Sequence, residues 1–256
     1  MLILLSPAKT LDFQTSAQPQ GEPPLLSQSR QLIGALKKYS AADLGQLMKL
    51  SETLATLNVS RYSEWTGVGQ KPALYAFKGD VYRGLDPESM SEAALERAER
   101  QLLILSGLYG VLPAMAGIEP HRLEMGTALP TRRGQGLYQF WGERITEHLN
   151  EALAREGSEV VVNLASQEYF KSVNTSGLNC PVITPVFRDE KAGKYKVISL
   201  FAKRARGLLA RHLLERGETN IERGLQSFTS EGYRYDPTGS TPEAPLFVRA
   251  EADRPR

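Results

Sequence analysis

The sequence predicts a mixed α/β chain of the α+β kind: one domain, with a mixed sheet flanked by helices. Three observations predict it. Met1–Leu5 and Glu159–Leu164 are apolar runs of the length and type expected of strands buried on both faces. Between them lie several segments whose apolar residues recur at helical spacing. A strand, a turn and a second strand then run from Val186 to Phe201, directly before a basic helix. That hairpin argues against a purely parallel sheet.

Composition narrows the class. The chain has 256 residues, 41% hydrophobic and 23% charged, within the globular range. No repeat or linker divides it, so residues 1–256 are read as a single domain. The lone Cys180 excludes an intramolecular disulfide and a multi-cysteine metal site, and fits a reducing cytoplasm. His121, His148 and His212 are far apart and form no H-x-x-H pattern, so neither a metal site nor a cofactor is expected. Met1–Leu5 is too short, and lacks the basic lead, for a signal peptide. No run reaches the roughly 18 apolar residues of a membrane span. The expectation is a cytoplasmic monomer without membrane contact.

Taken in order, Met1–Leu5 is a buried strand that ends where Pro7 forbids a central strand from continuing. Ser6, Lys9 and Thr10 then lie just past a strand end, where α/β folds bind ligands. The chemistry suits a phosphate, but the glycines of a Walker loop are missing. Gln14–Leu25 is a polar, Pro-rich loop. Ser27–Tyr39 and Ser40–Ser60 carry helical spacing, with Ser40 and Asp43 placed as a cap. Ala73–Phe77 reads as a short strand, and Lys78–Asp80 as a loop offering a ligand pair or a plain turn. Ser89 and Glu92 suggest a capping box for a helix whose apolar face is Leu95, Ala98, Leu102 and Leu105.

That helix is expected to end at Ser106-Gly-Leu-Tyr-Gly110. The order resembles the hairpin of a helix-hairpin-helix element, in which Gly107, Leu108, Tyr109 and Gly110 would bring backbone N–H groups to a DNA phosphate. A helix C-cap followed by a turn explains the same glycines. Arg122 and Glu124 either pair or line a cleft. Leu137–Ala154 is an amphipathic helix with Trp141 read as packing. Glu159–Leu164 is a buried strand, and Asn163, Ser166, Glu168 and Lys171 lie at or beyond its end. The tail 236–256, rich in Pro, Gly, Ser and Thr, is expected to be loosely held, with Leu246–Val248 a candidate edge strand.

The basic stretch is the strongest functional signal. Arg188–Arg216 holds nine cations against three anions, a net of +6, where the whole chain carries +2. In the helix from Ala202, residues Ala202, Ala205, Leu208, Leu209 and Leu213 share one face. Lys203, Arg204 and Arg211 oppose it, with Gly207 leaving a bare backbone spot between them. Reversing those three charges is therefore expected to spare the fold. Concentrated positive charge fits a polyanion, or simply a solvated face.

Several stretches together carry a resemblance. LLSPAKTL (Leu4–Leu11), AFKGDVYRGL (Ala76–Leu85), LSGLYGVL (Leu105–Leu112), HRLEMG (His121–Gly126), LYQFWG (Leu137–Gly142), NLASQEYFKSV (Asn163–Val173), PVFRDEKAGKYKVISLFAKRARGLLAR (Pro185–Arg211) and SEGYRYD (Ser230–Asp236) resemble the peroxide-stress protein YaaA family, in order and over nearly the whole chain. The resemblance implies a cytoplasmic DNA-binding protein that helps cells survive hydrogen peroxide and is linked to low free iron. It also implies a basic cleft and a helix-hairpin-helix element at Leu105–Leu112. Here Leu112 is followed by Pro113-Ala114 where the family has Arg-Pro, so the hairpin lacks a cation.

The leading expectation is largely sequence-independent DNA binding, since no base-reading recognition helix is evident. Its contacts are Lys9, Lys171, Lys203, Arg204, Arg206 and Arg211, with the hairpin amides of Gly107–Gly110 as a second site. The competing class is an enzyme acting on nucleic acid or a nucleotide, with Ser6, Lys9, Asn163, Glu168 and Lys171 around a cleft. Direct iron storage is disfavoured, because no ligand cluster is visible.

Overall fold

The computed structural model describes residues 1–15 and 17–255. Its first sheet has five strands, in the order Val182–Ile183, Val161–Asn163, Leu2–Leu5, Leu102–Ser106, Gly110–Pro113. The first four are mutually parallel, and only the last turns back antiparallel. Leu2–Leu5 is central and wholly buried, as an apolar run flanked on both sides must be. The parallel strands end at one edge. The loops after Leu5 and Asn163 and the turn after Ser106 therefore gather there, which is what positions the candidate site.

This is the mixed sheet expected, and a second sheet accompanies it. Its order is Lys194–Lys196, Val186–Lys191, Leu246–Arg249, Arg234–Asp236. Leu246–Arg249 is paired on both sides, parallel to Val186–Lys191 and antiparallel to Arg234–Asp236, so it is not an edge strand. Phe187, Phe228, Tyr233 and Phe247 pack together behind it, with ring centroids 5.3–6.3 Å apart. The tail is thus fastened by a buried strand, where polar composition suggested a loose end. Among the described residues, no helix is long and apolar enough to cross a membrane.

Local signals held where the chemistry is local. Ser40 and Asp43 form the reciprocal capping box of the helix Ala41–Met48. In the hairpin, Ala192 (φ 53°) and Gly193 (φ 72°) both adopt positive φ, the conformation of a two-residue turn that matches strand twist. The second strand stops at Lys196, earlier than expected, and the basic helix runs over Ser199–Arg216.

Five readings are corrected. Ala73–Ala76 is a helical turn, and only Phe77–Lys78 is strand, paired with Thr10–Leu11. The cap of the next helix is Ser91, whose Oγ accepts from the Ala94 amide; Ser89 lies in a preceding short turn. That helix ends at Gln101, because Leu102–Ser106 gains a full strand ladder beside Leu2–Leu5. Leu102 and Leu105 suit either period, and tertiary pairing decides. The turn at Gly107–Tyr109 therefore joins two strands, so no helix-hairpin-helix element forms there.

The fifth correction concerns Gly207. Its helix crosses the helix Asp80–Leu85 at backbone contact. A Cβ on Gly207 would lie 1.8 Å from the Val81 carbonyl oxygen, and one on Gly84 would lie 2.2 Å from the Arg204 carbonyl oxygen. The bare spot is filled by another helix, not offered to a ligand.

Candidate functional site

A cavity of about 560 Å³ opens at the edge where the parallel strands end. That volume is in the range of small-molecule sites. The loop after Leu5 supplies Ser6 and Lys9, and the segment after Asn163 supplies Ser166, Glu168 and Tyr169. Phe77–Tyr82 and His121–Glu124 form the facing walls, and the basic helix adds Lys203 and Arg206. The cavity thus unites residues from across the chain because the sheet brings their loops together.

Its polar groups are held firmly. Ser6 Oγ accepts from the Ser166 amide at 2.7 Å and donates to Ser166 Oγ at 3.3 Å. Tyr82 is buried and donates its hydroxyl to the Ser6 carbonyl at 3.1 Å. Glu168 Oε1 accepts from the Gly126 amide at 3.0 Å. Lys9 Nζ lies 3.1 Å from Glu124 Oε1, which Arg122 also grips at 2.9 Å, so Arg122 and Glu124 do pair. Lys78 and Asp80 both line the cavity, while their charged groups pair with Glu88 and Arg83.

His121 is the residue that sequence reasoning did not place in a site. Its Nδ1 lies 2.8 Å from the Glu119 carbonyl oxygen, an acceptor, so Nδ1 carries the proton and Nε2 keeps a lone pair. Burial, with Arg61 adding to it, holds its pKa down to about 4. Tyr109 and Phe77 stand edge-on to the ring, at 5.1 and 6.3 Å. The imidazole is thus a neutral acceptor at physiological pH. A usable signal was its place beside Arg122 and Glu124 in one short motif.

This burial has a measurable consequence. An unfolded histidine takes up its proton near pH 6.5, and the folded one only near pH 4. Between those values the unfolded chain binds the extra proton. His121 therefore contributes fully above about pH 6.5, and its contribution is lost as pH falls through about 4. The loss is on the order of 3 kcal/mol. His148 and His212 are lowered in the same direction by burial, so the check is a difference. Urea melts across pH 4–7 should show a clearly flatter acid slope for His121→Asn than for the parent; equal slopes would remove the assignment.

The expected site residues separate into three groups. Ser6, Lys9, Glu168, Lys203 and Arg206 line the cavity. Asn163 and Lys171 do not: the Asn163 amide bonds Thr184 Oγ1 and the Ala165 amide, and Lys171 sits 5.1 Å over the Tyr138 ring. Arg204 and Arg211 are engaged internally. Arg204 Nε donates to Glu231 at 2.8 Å, and Arg211 donates to the Asp86 and Ser89 carbonyls at 2.9 and 2.8 Å, closing a helix end. Reversing these two charges would therefore damage the fold, contrary to expectation.

The hairpin residues fall in none of these groups. Gly107, Leu108, Tyr109 and Gly110 are buried. The Tyr109 amide donates to Ser106 Oγ, and the Gly107 carbonyl accepts from Trp141 Nε1. A Cβ on Gly107 would strike the Leu123 carbonyl oxygen at 2.2 Å, and one on Gly110 would meet the Trp141 ring at 2.8 Å. Packing accounts for both glycines, and their amides have no path to a phosphate. Among the described residues, no group of three or more His, Cys, Asp and Glu side chains is placed to hold a metal ion.

Comparison with known proteins adds the following. A family model described as peroxide stress protein YaaA matches residues 1–239. A UPF0246 protein of Marinomonas sp. (strain MWYL1) is 51% identical over 262 residues, covering 100% of both chains. UPF0246 proteins of Shewanella pealeana and Aliivibrio fischeri (strain MJ11) are 49% and 48% identical, over 98% and 99% of this chain and 100% of their own length.

Proposed function

This chain belongs to the peroxide stress protein YaaA family, and from that premise we propose that it serves the hydrogen peroxide response by binding duplex DNA in the cytoplasm, largely without regard to sequence. Such binding would limit oxidative damage to DNA. The link to low free iron follows from the family resemblance.

One observation carries the DNA reading. Arg188, Lys191, Lys194, Lys196 and Lys203 are exposed on the hairpin and the helix that follows it. Among the described residues none of them makes an ion pair. By register Lys191, Lys194 and Lys196 share one face of the hairpin, a strip of cations without acidic partners that is the footprint a phosphate backbone needs. Tyr195, Val197 and Leu200 lie exposed among them, offering apolar contact to sugar and base faces. Lys9 and Arg206 add positive charge at the cavity, Lys9 shared with Glu124, whereas Arg204, Arg211 and the buried hairpin amides drop out of the contact set.

The test is duplex affinity titrated against salt. Lys194→Glu with Lys196→Glu should weaken binding and reduce the log–log slope by about 0.9 per lost phosphate contact. An unchanged slope would leave the strip a solvated face. A second reading, an enzyme acting on nucleic acid or a nucleotide, is favoured by the meeting of Ser6, Glu168 and a neutral His121 in one cavity. It requires that the protein alter a DNA or nucleotide substrate, as read by mass analysis, and that Glu168→Gln abolish the product.

A further inference from the structure

We propose that the cavity is a pocket for a single nucleotide, with Lys203 and Arg206 taking its phosphate and His121, Ser6 and Glu168 taking the N–H and O–H donors of its base and sugar. The nucleotide is either free or an unpaired unit of a DNA strand, and only the second source rests on the DNA-binding reading above.

The anionic end follows from the mouth. Lys203 and Arg206 are three residues apart on one helix and so share a face. Both line the cavity, and among the described residues neither makes an ion pair or side-chain hydrogen bond, unlike Arg204 between them, which is held by Glu231. Arg206 is partly removed from water, and its pKa is lowered for that reason alone. A partly desolvated guanidinium without a counter-charge gains from an anion, and its fork of donors matches a phosphate. Lys9, by contrast, is shared with Glu124.

The uncharged end follows from the interior. His121 Nε2 is a fixed acceptor, because Nδ1–H is committed to Glu119. Ser6 Oγ is tied to Ser166, and Glu168 Oε2 is left open while Oε1 holds the Gly126 amide. Acceptors at these positions call for a ligand rich in N–H and O–H groups. Phe77, Tyr82 and Tyr169 supply aromatic surface around them. Inorganic phosphate would leave these acceptors unused, and an apolar ligand would leave Arg206 unpaired. A nucleotide satisfies both ends, fits about 560 Å³, and lies where parallel strands end, as nucleotides do in other open sheets.

The test uses the full chain and two arms. In the first, dAMP, dGMP, dCMP and TMP are titrated calorimetrically beside their nucleosides and inorganic phosphate. At least one nucleotide should bind about tenfold tighter than either fragment. Arg206→Met should cost about tenfold or more, the value of one charge-assisted contact. Lys203 is exposed, so Lys203→Met cannot harm the fold and should weaken binding several-fold. Lys194→Glu with Lys196→Glu, outside the cavity, should leave mononucleotide affinity unchanged even where duplex affinity is lost.

In the second arm, a duplex carrying one mismatched 2-aminopurine is titrated with the protein. A fluorescence rise that disappears in Arg206→Met identifies a strand nucleotide as the source. A response in the first arm alone identifies a free one. Silence in both arms overturns the pocket, as does equal affinity for inorganic phosphate and nucleotides, or a response indifferent to both Arg206→Met and Lys203→Met.

Discussion

Replacing Gly207 with alanine should destabilise the chain by about 3 kcal/mol, where the same change in an exposed helix stabilises by about 1 kcal/mol. The reversal of sign is the diagnostic. The added Cβ would lie 1.8 Å from the Val81 carbonyl oxygen and 2.7 Å from the Leu85 amide nitrogen. Both are backbone atoms, so no rotamer change relieves the clash, and the two helices must move apart. Gly84 meets the same crossing from the other side, with Arg204 and Leu208 backbone atoms 2.2 and 3.0 Å from its Cβ position. Once Gly207→Ala has opened the crossing, adding Gly84→Ala should cost less than it does alone. Separation would also carry Lys203 and Arg206 off the cavity mouth, so ligand affinity should fall together with stability. Urea melts of the three variants decide it: a neutral or stabilising Gly207→Ala would mean the helices do not touch there.

The same crossing shows what the sequence can and cannot convey. Leu2–Leu5 and Val161–Asn163 were legible because a strand buried on both faces must be apolar throughout. The Ser40–Asp43 box and the Gly193 turn were legible because both partners are near neighbours in the chain. Gly207 looked like an open spot because its partner, Gly84, is remote in sequence and has no side chain to announce the contact. Arg204 and Arg211 looked free for the same reason, since Glu231 and the Asp86–Ser89 turn are distant acceptors. Leu102–Ser106 was misread because a strand and a helix face can share the same leucines, and only the neighbouring strand settles the choice. For the candidate site, Ser6, Lys9, Glu168, Lys203 and Arg206 were legible as polar residues past strand ends or on the basic helix. His121 was not, because its importance lies in a tautomer fixed by a backbone carbonyl.

The second sheet, which carries the cationic hairpin, gives the other large prediction. Arg249→Met should cost about 3–5 kcal/mol, because it strands a buried carboxylate. Asp189 is 0% exposed, and it accepts from Arg249 Nε at 2.7 Å and from the Tyr233 hydroxyl at 2.8 Å. Arg249 is itself 3% exposed and lies over the Tyr233 and Phe201 rings at 4.3 and 5.0 Å. Removing the guanidinium leaves Asp189 with the Tyr233 hydroxyl and only the more distant Arg254 Nε, 3.9 Å away, to balance a full charge. Adding Asp189→Asn removes that charge and keeps an acceptor for Tyr233, so the double variant should recover most of the loss, with a coupling energy of about 2 kcal/mol. Added salt should barely change these values, because the pair is shielded from solvent, whereas duplex affinity should fall steeply with salt. Hydrogen exchange should place the early opening at Val186–Lys191 and Leu246–Arg249, the two strands this pair joins. A loss below about 1 kcal/mol in Arg249→Met, or no recovery in the double variant, would show that aromatic packing holds this sheet without the ion pair.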